Sequence, residues 1–416
     1  MAEPRFRACA PRLVLRTAAF AMALLAGLAA MPVRADEAGL DAAIGKALFK
    51  RPWVPAPSST RANDGLGPLF DARSCAACHP GSGRGSSALD ATGRPEGLGL
   101  VLSLFREDGS GDPVYGHRLE TMTLPGVPAE GVLVADVEQA GRRVPRIVEP
   151  GYGPLDPATH VSLRLAPDLR GRGGLERVDD ATILALEDPQ DRDRDGVRGH
   201  ARRLDHPEGG SSIGRFGWKA SHATLESQTS EAFSLDLGLS TPLRLEPWGD
   251  CTAAQAACRN APHGQDAEGA PEIPHAIVSR IVTYLRDVEA PNPPRDARGE
   301  RLFAATGCAA CHRPSLPTRD GGSVALFTDV LLHDMGAGLA DSGGVPGAEA
   351  GEWRTAPLAG LSQALAQGGG LLHDGRAADV TEAVRWHDGE AAGARARFDA
   401  LDPGAKRALI DYVSSL

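Results

Sequence analysis

Two short strings hold the residues of this sequence with the most chemistry in them: Cys75-Ala-Ala-Cys78-His79 and Cys308-Ala-Ala-Cys311-His312. Thiols three positions apart also serve zinc sites and thiol exchange. A histidine directly behind the second thiol, in both copies, points instead to covalent haem. The thiols add across the two vinyl groups of the macrocycle, and the histidine then lies under the iron as its proximal ligand. The expected cofactors are therefore two covalently bound haem c groups. Cys75, Cys78, Cys308 and Cys311 are the attachment points, with His79 and His312 on the irons.

The N-terminus agrees with that reading. Arg5, Arg7, Arg12 and Arg16 flank the start of an Ala- and Leu-rich stretch from Thr17 to Val33, and Val33-Arg34-Ala35 ends it in a small-residue cleavage pattern. Residues 1–35 read as a cleaved Sec-type signal peptide, which places the mature chain in the periplasm. No later stretch is apolar for long enough to span a bilayer, so no stable membrane insertion is expected. The whole chain has a formal charge of −10; without its leader, 39 basic residues face 53 acidic ones, a charge of −14. That balance argues against nucleic acid and anionic membrane surfaces as partners. It suits a basic electron-transfer protein. Of the seven cysteines, Cys9 leaves with the leader and four hold haem. Cys251 and Cys258 remain, and in an oxidising compartment they are expected to form a structural disulfide, with a redox-active pair as the alternative.

Short amphipathic helices precede both haem motifs, over 41–49 and 297–303, each ending in Leu-Phe. Ile273 to Val288 reads as a longer helix and Pro403 to Leu416 as a final one. Glu289-Ala-Pro-Asn-Pro-Pro-Arg295 interrupts the helical pattern and marks a domain boundary, giving a first domain over 36–290 and a second over 291–416. Strand patterns are expected only near 131–137 and 143–148. The halves look like diverged repeats, since Arg164-Leu-Ala-Pro167 and Arg354-Thr-Ala-Pro357 each follow a haem motif and precede a loop and a helical segment. Residues from about 85 to 160 have no second-half counterpart and read as an insertion. With 50 glycines, 32 prolines and only 5% aromatics, the chain is expected to carry long loops and a modest apolar core.

His373-Asp-Gly-Arg376 and the Arg-x-Ala-Pro strings resemble elements of the bacterial di-haem cytochrome c peroxidase and MauG superfamily. Within it, four strings are similar to the di-haem oxidoreductase family: Asp64-Gly-Leu-Gly-Pro68, Gly214-Arg-Phe-Gly-Trp-Lys-Ala220, Leu332-His-Asp-Met-Gly336 and Trp386-His-Asp-Gly-Glu-Ala391. The resemblance covers nearly the whole mature chain and implies a division of labour. One haem is six-coordinate and relays electrons, while the other keeps an open face for peroxide. In those peroxidases the distal ligand of the C-terminal haem stands fourteen residues after the His-Asp-Gly histidine. Here that position is His387, which implies His312/His387 ligation and a low potential. Met335 and His333 are rival ligands. The matching position in the first half falls near Ala232, so the resemblance implies that the haem at His79 is the open, catalytic one, unless His117 reaches it from its long loop.

The peroxidases also use a Gln and an acid ten positions later above the open haem. Gln228 matches the first; the tenth position is Gly238, and Asp236 lies two residues earlier. Glu120 and Glu130 also stand ten apart. Asp236 or Glu130 is thus expected to move the proton that heterolytic O–O cleavage requires, although a solvated surface carboxylate is the plainer reading of each. Trp218 is the expected electron relay between haems, or else a ring packed on a haem edge. Arg164, Arg354 and Arg376 are expected to neutralise haem propionates, or to pair with carboxylates. Asp191-Arg-Asp193-Arg-Asp195-Gly196 has the opening spacing of a calcium loop, but Arg202 stands where the closing acid belongs, so a calcium site competes with a plain acidic turn.

The expected fold is mainly α: two cytochrome-c-like haem domains with long loops and an insertion in the first. The expected activity is that of a periplasmic di-haem oxidoreductase of peroxidase type. Electrons come from a small soluble donor such as a cytochrome c or a cupredoxin and go to peroxide or a related oxidant. A pure electron-transfer cytochrome and a MauG-like oxidase or oxygenase are the alternatives.

Overall fold

Helix α1 (Glu37–Lys50) opens the part of the chain that the computed structural model describes, which is Met1 and residues 37–138, 141–292 and 295–416. The leader expected at 1–35 lies outside the described residues. Further helices include the single turn α2 (Cys75–Cys78), α3 (Leu225–Leu237), α4 (His275–Asp287), α5 (Ala297–Ala305), α6 (Val380–Arg385) and α7 (Pro403–Ser414). Their ends follow local chemistry. Thr224 caps α3 by accepting from the Ser227 amide, and Gly238 ends it in the left-handed region at φ 67°. Asp296 and Asp402 cap α5 and α7 with their carboxylates, and Pro403 sits in the first turn of α7, where no amide is needed. Helices α5 and α7 touch at Gly299, where a Cβ would lie 2.3 Å from the Cβ of Tyr412, so only glycine lets them approach this closely.

Strands occupy far more of the chain than the sequence pattern indicates. They include β1 (Leu100–Phe105), β2 (Arg118–Leu119), β3 (Val132–Val137), β4 (Arg143–Val148), β5 (His160–Leu165), β6 (Leu332–Asp334) and β7 (Glu352–Arg354). Strands β2, β1 and β5 form an antiparallel sheet in that order, with Leu102 opposite both Leu119 and Leu163. The expected β3–β4 hairpin is present, and β6 pairs with β7 so that His333 faces Trp353. The structure is 29% helix and 17% strand, which corrects the expectation of a mainly α fold. The reason lies in β1. Its Leu-Val-Leu-Ser-Leu-Phe has no polar residue at alternate positions, so it lacks the period-2 signal, and its partner β5 comes some sixty residues later.

From Asp41 onward the chain packs as one compact unit; Met1–Leu40 is a separate unit, of which only Met1 and the first residues of α1 are described. Three apolar clusters organise the larger unit. The first joins Phe49, Phe233, Ile281 and Leu285 of α1, α3 and α4. The second joins Phe303, Val380, Leu409 and Tyr412 of α5, α6 and α7. The third belongs to the strands and holds Leu102, Leu104, Leu119, Leu133 and Leu163. Burying each such leucine contributes about 1.5–3 kcal/mol, so the insertion carries a core of its own rather than leaning as loops on the haem sites.

Candidate functional site

The first Cys-x-x-Cys-His string forms a single turn, α2, and the His79 amide bonds back to the Cys75 carbonyl at 2.9 Å. That turn puts Cys75, Cys78 and His79 on the wall of a cavity of about 470 Å³. The Nδ1 of His79 lies 3.2 Å from the Gly83 carbonyl, which can only accept, so Nδ1 carries the proton and Nε2 the lone pair. Burial holds the ring below its ordinary pKa, as a neutral ligand must be. The rest of the wall comes from β2, β5, α3 and the Phe216–Lys219 turn.

The residues around this cavity fit a haem, and the test is their unanswered positive charge. Arg354 is buried and donates to the carbonyls of Gly217 at 2.9 Å and Thr355 at 3.0 Å. Arg84, set behind the wall with its guanidinium 5.8 Å from the centre of the Trp218 ring, donates to the carbonyls of Gly370 and Leu372, and Arg172, on the wall, to that of Asp168. None of the three meets a carboxylate among the described residues, and Nε of Arg84 and Nη1 of Arg172 have no partner. Burial without an anion pushes Arg84 and Arg172 down to about 10 and Arg354 to about 9. Isolated buried cations are costly. The two propionates of a haem would supply the missing anions, and its ring would suit the apolar wall. Of the three arginines expected from sequence, Arg354 alone is free for this. Arg164 pairs with Asp341 at 2.8 Å, and Arg376 with Asp374 at 2.7 Å. Arg84 and Arg172 carry no sequence signal and emerge only from their burial.

Gln228 and Asp236, one from each half of α3, both line the cavity. Asp236 is paired with Arg118 of β2, a residue that no motif marks. Burial raises the Asp236 carboxyl above its ordinary pKa, and Arg118 opposes that rise. Glu231 reaches the same wall, but its carboxylate is committed: His222 at 2.7 Å and Arg244 at 2.9 Å overcome the cost of burial and hold it at about 2. His117 also lies on the wall, half-exposed, with its ring 3.2 Å from Asp250. Trp218 lines the cavity and donates its indole N–H to the Leu165 carbonyl at 2.8 Å.

Glu120 and Glu130 lie elsewhere, buried against each other behind β2 rather than on the cavity wall. Oε2 of Glu130 accepts the Glu120 amide at 2.7 Å, and Oε1 accepts from Gln255 at 2.5 Å. Burial drives both carboxyls up, and it lifts the nearby Asp71 to about 7. These groups stay protonated in the folded chain after the unfolded chain has released its protons, which happens above about pH 4.3. The folded state therefore binds more protons, and stability falls as pH rises through neutrality. Glu231 acts in the opposite sense, but only below the ordinary carboxylate range. The melting temperature is expected to drop between about pH 5 and pH 8, and Glu130→Gln to flatten that slope in calorimetry. An unchanged slope in the variant would remove the pair as its cause.

The second string makes a tighter turn, with the His312 amide 2.9 Å from the Cys308 carbonyl. His387, just past the end of α6, faces His312 with ring centres 6.5 Å apart. Two imidazoles on one metal, with bonds of about 2.0–2.1 Å, hold their ring centres roughly 6–6.5 Å apart. Each ring gives its Nδ1–H to a carbonyl, His312 to Phe327 at 3.1 Å and His387 to Ala383 at 2.8 Å. Burial keeps both neutral and, with His387 beside it, takes His312 down to about 4. The rivals are placed otherwise. His333 sits between Asp329 at 2.9 Å and Glu390 at 2.7 Å, which outweigh burial and keep it protonated, with no lone pair to offer. Met335 is half-buried beyond β6, its amide bonded to the Gly351 carbonyl. The His373 ring stacks on Trp353 with centres 3.7 Å apart. Asp191, Asp193 and Asp195 bring carboxylate oxygens within 4.8 Å of one another in an exposed turn.

Two Cys-x-x-Cys-His turns with unlike surroundings, one opening on a cavity and one facing a second imidazole, are the layout of a two-centre redox protein. The chain belongs to the di-haem oxidoreductase family: the family model described as "Di-haem oxidoreductase, putative peroxidase" matches residues 156–416. The match takes in Trp218, Asp236, Arg354 and the whole second site, while the first haem string lies before it. No curated protein gives a significant match. Among solved structures, hydrazine synthase of Kuenenia stuttgartiensis pressurised with xenon aligns over 89% of this chain and 92% of its own, at 14% identity and a TM-score of 0.33. A likeness that faint carries no argument about fold or activity.

Proposed function

We propose that this chain is a periplasmic di-haem c-type oxidoreductase that reduces peroxide with electrons from a small soluble donor. The observation that carries the proposal is the contrast between the two sites: His79 opens on a cavity holding Gln228 and the Asp236–Arg118 pair, whereas His312 faces His387. Cys75, Cys78, Cys308 and Cys311 would hold the macrocycles, His79, His312 and His387 their irons, and Arg84, Arg172 and Arg354 the propionates. A haem in the first cavity would supply an iron with one free coordination place, able to take up peroxide and pass it electrons.

The protein side of the reaction is proton management. Asp236 accepts the proton of the inner peroxide oxygen at a carboxylate oxygen and returns it to the outer one, which leaves as water. Arg118 orients that carboxylate, and the Gln228 amide donates to peroxide oxygen. The balance is one peroxide, two electrons and two protons to two waters. The two electrons come singly from a donor whose basic face suits the acidic chain. Among the described residues no helix is long and apolar enough to cross a membrane, and the periplasmic placement rests on the leader at 1–35.

The test is a ferric electron paramagnetic resonance spectrum together with peroxide turnover on reduced cytochrome c. A high-spin signal and turnover are expected. A protein without high-spin iron at any redox poise is an electron carrier, and the peroxidase reading falls. The proposal extends to calcium at Asp191, Asp193 and Asp195. Calcium added to chelator-treated protein should raise the melting temperature, and the absence of both that shift and any binding heat would reject the site.

A further inference from the structure

Strand β2 brings Arg118 to the first cavity, yet its two residues cannot hold it there through sheet pairing alone. It pairs with β1 through Leu119 and Leu102 and through Arg118 and Ser103. Its other anchors are carboxylates from three distant segments. Oδ2 of Asp250 accepts the amides of both His117 and Arg118, the latter at 3.1 Å. Oε2 of Glu130 accepts the Glu120 amide, and Oδ1 of Asp71 accepts the Thr121 amide at 3.0 Å. Where the accepting carboxylate is ionised, such bonds are shorter and stronger than neutral ones.

Asp250 contributes most to this arrangement. It also bonds the His117 ring at 3.2 Å, and it lies so near Gly116 that a Cβ there would sit 2.4 Å from its Oδ2. Gly116 has φ +74°, so the turn that hands the chain to β2 is shaped around this carboxylate. Asp250 immediately precedes the disulfide-bonded Cys251–Cys258 loop. Two more side chains of that loop grip the same region: Thr252 Oγ1 donates to the Val114 carbonyl at 2.8 Å, and Gln255 holds Glu130. The disulfide limits the freedom of the loop and so keeps these groups on one locus. On the other side of β2, the Arg118 guanidinium meets Asp236.

We propose that Asp250 is a positioning residue for the first haem site: with the disulfide loop behind it, it fixes β2 and thereby sets Arg118 against Asp236. The inference rests on reading that cavity as the reactive site, and it assigns to the Cys251–Cys258 loop the task of shaping the site from outside. Asp250 itself is not on the cavity wall. Its effect passes through the backbone amides of His117 and Arg118 and through the His117 ring.

The experiment uses the full holoprotein as wild type, Asp250→Ala, Asp250→Asn and the Cys251→Ser/Cys258→Ser double variant. Two quantities are read. The first is amide hydrogen exchange over residues 114–121 against the rest of the chain. The second is the association rate of cyanide with the ferric protein, which depends on a distal base to take the proton of HCN. Loss of Asp250 is expected to speed exchange at 114–121 alone and to slow cyanide association by about 10²-fold, the cost of a roughly 1 Å misplacement. The double variant should move both readings in the same direction by less. If Asp250→Ala unfolds, Asp250→Asn decides, since it keeps the size and loses the charge. Unchanged exchange overturns the proposal, because Asp250 then does not hold β2. Faster exchange with unchanged cyanide association also overturns it, because the residue is then merely structural. Wild-type protein that takes up no cyanide overturns the reading of the site, and this inference with it.

Discussion

His387→Ala is expected to turn the second haem from low-spin to high-spin in the ferric state, and His387→Met to raise its potential by on the order of 10² mV. Both effects follow from one distance. The 6.5 Å between the ring centres of His312 and His387 is the separation that a single metal between two imidazole nitrogens produces. The Ala383 carbonyl, at 2.8 Å from Nδ1, leaves Nε2 of His387 with its lone pair. Two imidazoles favour the ferric ion more than an imidazole and a thioether do, which sets the direction of the second shift. Met335→Ala should change neither signal. Low-spin second-haem iron in His387→Ala, with an unaltered potential in His387→Met, would remove His387 from the iron and with it the asymmetry on which the proposed activity stands.

Asp236→Asn is expected to lower kcat/KM for peroxide by about 10²- to 10⁴-fold, the usual contribution of a positioned acid–base group. Haem content and the second-haem spectrum should stay the same, because Asp236 meets Arg118 and no residue of the second site. The pH profile supplies a separate check. As a base, Asp236 works only when ionised, and burial raises its pKa from the ordinary value against the pull of Arg118. The wild-type rate should therefore rise with pH through that pKa, and the variant should lose that limb. Arg118→Ala should shift the limb to higher pH, since the cation that opposes protonation is gone. A variant that keeps both rate and pH limb would move the acid–base role away from Asp236. Glu231 is no substitute, because its partners hold it at about 2 and keep it from taking up protons.

Much of the chemistry was legible before any coordinates. Both Cys-x-x-Cys-His turns, the helices expected over 41–49, 273–288, 297–303 and 403–416, and the β3–β4 hairpin follow from neighbouring residues. The resemblance to the peroxidases pointed to His387, whose ring the structure sets opposite that of His312. The β2–β1–β5 sheet did not announce itself, because β1 is apolar at five of six positions and pairs with a segment far along the chain. The expected mainly α fold failed on that segment. Arg118, Arg84 and Arg172 were invisible for a related reason. Surface arginines are common, and nothing in a string of letters tells a solvated guanidinium from one paired with a distant carboxylate, as Arg118 is, or buried without an anion, as Arg84 and Arg172 are. Glu130 drew notice through its spacing from Glu120, and the structure gives that carboxylate to the amide of Glu120 behind β2.

What sequence alone determined is where two haems would be tied, since thiol, thiol and imidazole must share one turn of backbone, and covalent attachment would ask for nothing beyond those five residues. What only the tertiary structure decided is what each iron would face. Asp236, Arg118 and Arg354 meet around one centre from positions more than a hundred residues apart, while His387 crosses to the other. Burial then sets their protonation, and burial is a property of the packed chain rather than of any stretch of it.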